Sequence, residues 1–186
     1  TLTLVDYVGE VIREGRAYKG DAYSGLTFVF DDGSEPAPEV IAEGWSGYTT
    51  WALPSDGVLT VSPTEQTFEG ETNMKNYWKV GGVLTLPWGE YAELITKVVI
   101  EEGVHDIGQM AFYALPNLTE VVLPDSAVEI RGYAFKNCAS LTTINLEVVE
   151  FIREGAFYGC SALENVSLAE GAVVEDFAFS RTGVTY

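Results

Sequence analysis

The side chains able to do chemistry are few and widely spaced. Cys138 and Cys160 are the two thiols, and His105 is the one imidazole. A thiol nucleophile needs a base within hydrogen-bond reach and a third group to orient that base. No such Cys-His-acid spacing is written in the sequence, nor is a phosphate-cradling glycine loop. Asp31-Asp32-Gly33-Ser34-Glu35 gathers oxygen ligands of the kind calcium takes, but without the spaced carboxylates of a full calcium loop. Carboxylates are numerous enough for a glycosidase-like pair, yet no cleft is implied around two of them. Trp45, Trp51, Trp78 and Trp88 could stack on sugar rings, or pack; packing in a core or cap is the expectation. No catalysis, cofactor or metal is expected.

The charge narrows the partners. In 186 residues, 28 acidic groups face 10 basic ones, for a formal net charge of −18. Binding nucleic acid requires clustered Lys and Arg to displace phosphate counterions, and the ten here are scattered along the chain. No nucleic-acid partner is expected, and an anionic membrane surface is disfavoured on the same ground. No run of 18 apolar residues is present, so no transmembrane segment is expected. The apolar fraction of 47% is that of a packed globular protein.

The elements that must position these groups are repeats. Ile95-Thr-Lys-Val-Val-Ile100 precedes Ile107-Gly-Gln-Met-Ala111-Phe112, and the same text returns from Leu118, Leu141 and Leu163. The units are 95–117, 118–140, 141–162 and 163–183, a period within the range of leucine-rich repeats. Aligned, they give buried columns: Ile95/Leu118/Leu141/Leu163, Val98/Val121/Ile144/Val166, Ile100/Leu123/Leu146/Leu168 and Ile107/Ile130/Ile152/Val174. A fifth column pairs a small Ala with a large Phe at 111–112, 134–135, 156–157 and 178–179. Such columns predict coils stacked at strand spacing, about 4.8 Å, with phenylalanine rings in register. Cys138 and Cys160 share the position of Leu115, so a free buried thiol is expected, with a disulfide between adjacent coils as the alternative. His105 reads as a solvated turn residue.

Between the buried positions of the first strand lie two rows that should point outward. One is Lys97, Glu120, Thr143 and Asn165; the other is Val99, Val122, Asn145 and Ser167. Regular rows on a rigid solenoid are how repeat proteins hold partners, so these eight residues are the candidate binding face.

The unit resembles the BspA-like leucine-rich repeats of bacterial and protist surface proteins, which read roughly Leu-Thr-x-Ile-x-Leu-Pro, then Ile-Gly-x-x-Ala-Phe-x-x-Cys. Leu118 to Ser140 carries the pattern, with Pro124, Ala134-Phe135 and Cys138 in place. It departs at Asp125-Ser126-Ala127, and Leu115 replaces the Cys of the preceding unit. The resemblance implies a non-catalytic protein, secreted or held at the cell surface, its signal peptide removed. It implies a protein or extracellular-matrix ligand. The alternative from another class is a carbohydrate-binding or enzymatic module near the N-terminus carried on a repeat scaffold.

The predicted fold class is mostly β. Residues 1–80 form a β-rich N-terminal region with cap lead-in, and 81–186 the repeat domain. Leu26–Phe30 reads as a strand, and residues 18–34 resemble bacterial Ig-like modules, with a Tyr-x-Gly-Asp turn and an Asp-Gly-Ser hairpin. Val11-Ile-Arg-Glu-Gly15 is close to Phe151-Ile-Arg-Glu-Gly155, which is read as coincidence. Gly57–Ser62 and Gly82–Pro87 read as strands, with Thr64–Trp78 a loop folded over apolar surface and the aromatics before Ile95 closing the first coil. Val184-Thr185-Tyr186 falls in register with Leu163-Glu164-Asn165. An end so open would suit self-association.

Overall fold

In the computed structural model, residues 2–5, 11–15, 27–30, 37–65 and 73–185 are described. The chain divides at 39/40 into two compact units. The first holds β1 (Leu2–Val5), β2 (Val11–Gly15) and β3 (Thr27–Phe30), an antiparallel sheet in the order β2-β1-β3. The strand read at 26–30 is β3. The turns that carried the Ig-like resemblance and the Asp31–Glu35 ligand cluster lie outside the described residues. Because β2 pairs antiparallel with β1, its likeness to Phe151–Gly155, part of a parallel ladder, is not that of a repeat.

The second unit opens with a meander: β4 (Val40–Ser46), β5 (Thr49–Pro54) and β6 (Val58–Pro63). A short hairpin follows, β7 (Lys79–Val80) and β8 (Val83–Leu84), then one 3-10 turn at Gly89–Tyr91. The strand expected over 82–87 is therefore only Val83–Leu84, turned back through Gly81-Gly82 onto β7.

Four coils come next. Each sends one strand to a first sheet and one to a second. The first sheet takes β9 (Lys97–Ile100), β11 (Glu120–Val122) and β13 (Thr143–Ile144), and a bridge from Leu146 to Leu168 extends the ladder to the fourth coil. The second takes β10 (Asp106–Ile107), β12 (Glu129–Ile130), β14 (Phe151–Ile152) and β15 (Val173–Val174). Both run parallel. A third ladder joins the Ala-Phe turns: Phe112, Phe135 and Phe157 donate their N–H to Ala134, Ala156 and Ala178 at 2.8–2.9 Å.

The columns read from the sequence form the core. Ile95, Leu118, Leu141 and Leu163 are wholly buried, as are Ile107, Ile130 and Ile152. Phe112, Phe135, Phe157 and Phe179 stack with centroids 5.2–5.4 Å apart and planes within 13° of parallel. The last coil is less covered: Val174 is 37% and Phe177 63% exposed.

The cap stands in for a coil, in three pieces taken in chain order. On the first sheet, β6 pairs parallel with β9, placing Leu59 beside Val98 and Val61 beside Ile100. On the second, residues 73–77 lie along the first coil, where Met74 and Tyr77 donate N–H to the carbonyls of Asp106 and Gln109. That approach is open only because position 108 is glycine: a Cβ there would sit 2.1 Å from the Lys75 carbonyl oxygen. On the third, Trp88 stacks on Phe112 at 5.3 Å and its indole N–H donates to the Ala111 carbonyl. In later coils that carbonyl is taken by the backbone N–H of the preceding Phe. One side chain thus supplies both the ring and the donor of a missing coil.

Trp51 and Tyr77 pack edge-on against Trp88 at 5.9 and 6.2 Å. The expectation that tryptophans pack holds for Trp51 and Trp88, both buried. It fails for Trp45 and Trp78, 65% and 60% exposed: Trp45 sits on the outward side of β4, and Trp78 follows Tyr77, the last residue of the 73–77 segment that bonds to the backbone of coil 1.

Candidate functional site

The outward rows sit where the strand alternation puts them. Lys97, Glu120 and Thr143 are direct neighbours across β9, β11 and β13, and Val99 is paired with Val122. Lys97 and Glu120 form an ion pair at 2.8 Å, both half-exposed. Asn165 and Ser167 are exposed on the fourth coil. Asn145 differs from its row: its amide donates to the Leu123 carbonyl and accepts from the Leu123 N–H, both at 2.8 Å. It brackets the preceding coil, leaving its row to Val99, Val122 and Ser167.

The sheet carries these rows further than the repeats do. Val58 lies beside Lys97 and Thr60 beside Val99, so the face continues across β6, β5 and β4. There its outward residues are small or polar, Thr60, Ser62, Thr50 and Ala52, until it reaches Glu43 and Trp45 on the edge strand. A trough of about 580 Å³ lies beside Trp45 over these small residues. Trp51 also lines it, and its indole nitrogen is buried and without a hydrogen-bond partner among the described residues. Six strands therefore present one surface. The sequence hides this because β4 alternates weakly: Val40-Ile41-Ala42-Glu43-Gly44-Trp45 has no clear two-residue apolar period.

A second group of side chains lies on the other sheet. Arg131 binds Asp106 of the preceding coil; Arg153 binds Glu129 of the preceding coil and, at 2.9 Å, Glu175 of the next. This zipper crosses all four coils. Hydrogen bonds to Glu129 and then Glu175 raise the Arg153 pKa further, and the Glu175 carboxyl is lowered, chiefly by Arg153 and then by the Glu154 backbone N–H. The Tyr133 hydroxyl donates to Glu154, which pushes its pKa up. Ile-Arg at 130–131 and 152–153 is the visible signal, since each Arg projects beside an acid of the preceding coil, Asp106 for Arg131 and Glu129 for Arg153. Every charge here has a protein partner, so the zipper reads as a clasp between coils.

Cys138 and Cys160 are free and buried, and each thiol donates to a carbonyl of the preceding coil, of Phe112 and Phe135, at 3.0 Å. Burial raises both pKa values, Cys160 to about 12. They are inert neutral thiols at ordinary pH. His105 is half-buried rather than solvated, and its carbonyl accepts from Val128 and Glu129 where the next coil crosses it.

Parallel coils of 21 to 23 residues with two strand ladders and a phenylalanine stack define a leucine-rich repeat solenoid. A family described as the BspA type leucine rich repeat region, in 6 copies, matches residues 90–186, and the chain belongs to it. Among solved structures it is similar to a leucine-rich repeat protein from Eubacterium ventriosum, 18% identical with a TM-score of 0.51. That match covers 72% of this chain and 40% of the other, so the chain spans less than half the length of that relative. The T. pallidum leucine rich repeat protein is 21% identical over 75% of this chain and 67% of its own, TM-score 0.48. The first of these likenesses speaks for the fold alone. No curated protein matches. Among the described residues no helix is long and apolar enough to cross a membrane.

Proposed function

We propose that the six-stranded outward face binds a protein ligand, such as an extracellular-matrix component, and that the chain works without catalysis as a secreted or surface-held module. The observation that carries this is the continuity of the face: rows on β9, β11 and β13 run in register into the cap strands and end at exposed Trp45. A rigid, ordered surface with a half-exposed Val99–Val122 pair and one large exposed aromatic is the composition of a binding patch with an anchor. Family membership supports a surface or secreted location. Exposed Val173, Val174 and Phe177 support self-association through the last coil.

The test is binding of the full chain to a panel of immobilised matrix proteins by surface plasmon resonance. Val122→Lys, which places a charge in the half-exposed valine pair of the face, is expected to weaken a hit at least about tenfold without moving Tm. A panel with no hit, or a hit that Val122→Lys leaves intact, would sink the proposal. Trp45 and its trough favour a second reading, that the cap end of this face takes a neutral glycan by ring stacking. Trp45→Ala would then abolish binding on a glycan array while Val122→Lys would not.

A further inference from the structure

The fold sorts charge onto faces. The four Ala-Phe turns, 110–117, 133–140, 155–162 and 177–184, contain no Asp or Glu, although the chain has 28. Lys136 and Arg181 are their only charges, and Lys79 of the cap hairpin reaches the same face, donating to the Tyr113 hydroxyl at 3.1 Å. The cations on the two sheets, Lys97, Arg131 and Arg153, are each tied to carboxylates. Lys79, Lys136 and Arg181 have no ion pair among the described residues.

Tyrosines hold them instead. Lys79 lies over Tyr113 at 4.5 Å, Lys136 over Tyr133 and Tyr158 at 4.8 Å each, and Arg181 over Tyr158 at 5.2 Å. The ring faces fix each cation without neutralising it. The row follows the solenoid axis beside the phenylalanine stack, which steps 5.2–5.4 Å per coil, with Lys79 at the first coil, Lys136 on the second, Arg181 on the fourth and no cation in the turn of the third. Between the cations lie the neutral donors and acceptors of Tyr113, Asn137 and Tyr158.

We propose that this turn face binds a linear acidic polysaccharide lying along the solenoid axis. Fixed, unpaired cations spaced by one or two coils suit a polymer whose charges are sparse and regular, set on sugar units rather than on every backbone link. The hydroxyls and amide between them match sugar hydroxyls. A nucleic acid fits less well: its charges are denser than the row, and a protein of net charge −18 repels so dense a polyanion at long range. An acidic peptide would call on a free strand edge for its backbone, which this face, its ladder already closed between coils, does not offer.

The test is isothermal titration of the full chain with a hyaluronan decasaccharide, one carboxylate per disaccharide, at about 50 mM salt, against a neutral decasaccharide, oligo(dT) and decaglutamate. Salt-sensitive binding of the acidic glycan alone is expected, weakened about threefold by Lys79→Gln and more than about tenfold when Lys136→Gln and Arg181→Gln are added. Lys79→Gln sits on an exposed hairpin and keeps the measurement interpretable if the triple variant loses stability. No binding of the acidic glycan, equal binding by Lys79→Gln and the triple variant, or equal binding of oligo(dT) or decaglutamate would each overturn the proposal. Because these variants leave the sheet face intact, the outcome is separate from that of matrix binding there.

Discussion

Phe135 shows what one position does in a stack. Its ring lies 5.2 Å from Phe112 and 5.4 Å from Phe157, and it is fully buried. Phe135→Ala removes a ring that touches two coils, and the strand ladders on either side limit collapse of the cavity. A loss of about 3 to 5 kcal/mol in urea denaturation is expected. A loss below about 1 kcal/mol would mean the stack contributes little. This column was legible because its alternation of small and large residues has one packing solution. The backbone around it was not. Met110, Ala114, Tyr133, Asn137, Phe177 and Arg181 all have positive φ, two in each of the first two coils and in the last, a conformation normally written with glycine. Only the third coil writes it so, with Gly155 and Gly159, and there a Cβ on Gly155 would lie 2.5 Å from the Tyr133 ring. Elsewhere hydrogen bonds between adjacent turns hold the strained residues: Met110, Ala114, Tyr133 and Asn137 each donate N–H to the next coil. Those bonds offset a cost of about 1 kcal/mol per residue, and no local sequence signal announces them.

Among the elements, β6 announced itself and the rest of the cap did not. Gly57-Val-Leu-Thr-Val61 copies the repeat strand, so its place beside β9 follows from pattern. Residues 73–77 do the work of a strand with two backbone donors and a buried Met74 and Tyr77, too little regularity to read. Trp88 is a single residue doing the work of an element. Trp88→Phe keeps a ring over Phe112 but leaves the Ala111 carbonyl unsatisfied in a buried site. A destabilisation of about 1 to 3 kcal/mol is expected by chemical denaturation, the cost of an orphaned buried acceptor. Stability equal to wild type would show that the ring alone closes the stack.

For the whole molecule, sequence order hid the sorting of charge. Six of the ten basic residues, which look scattered along the chain, are divided by the fold. Lys97, Arg131 and Arg153 are paired on the two sheets. Lys79, Lys136 and Arg181 lie on a turn face whose turns contain no acid and which Glu154 borders at Tyr133. Stability should be uneven as well. A solenoid behaves as a chain of neighbour contacts, and the fourth coil is the least covered, with Val173, Val174 and Phe177 exposed. The two thiols report this directly, because burial raises both pKa values and makes them unreactive until a coil opens. At pH 8, Cys160 of the third coil should react with an aromatic disulfide reagent faster than Cys138 of the second, by mass spectrometry of partly labelled protein. Equal rates would indicate that the unit opens all at once.

The hydrogen bonds of the cap described above end on the first coil, at Asp106, Gln109 and Ala111. Duplication or deletion of one unit downstream would therefore leave the start of the stack untouched. Each added unit would lengthen the sheet face by one row and the turn face by one step. Reach and valency could change by gene-level copying alone, while the seal provided by Trp88 stayed as it is.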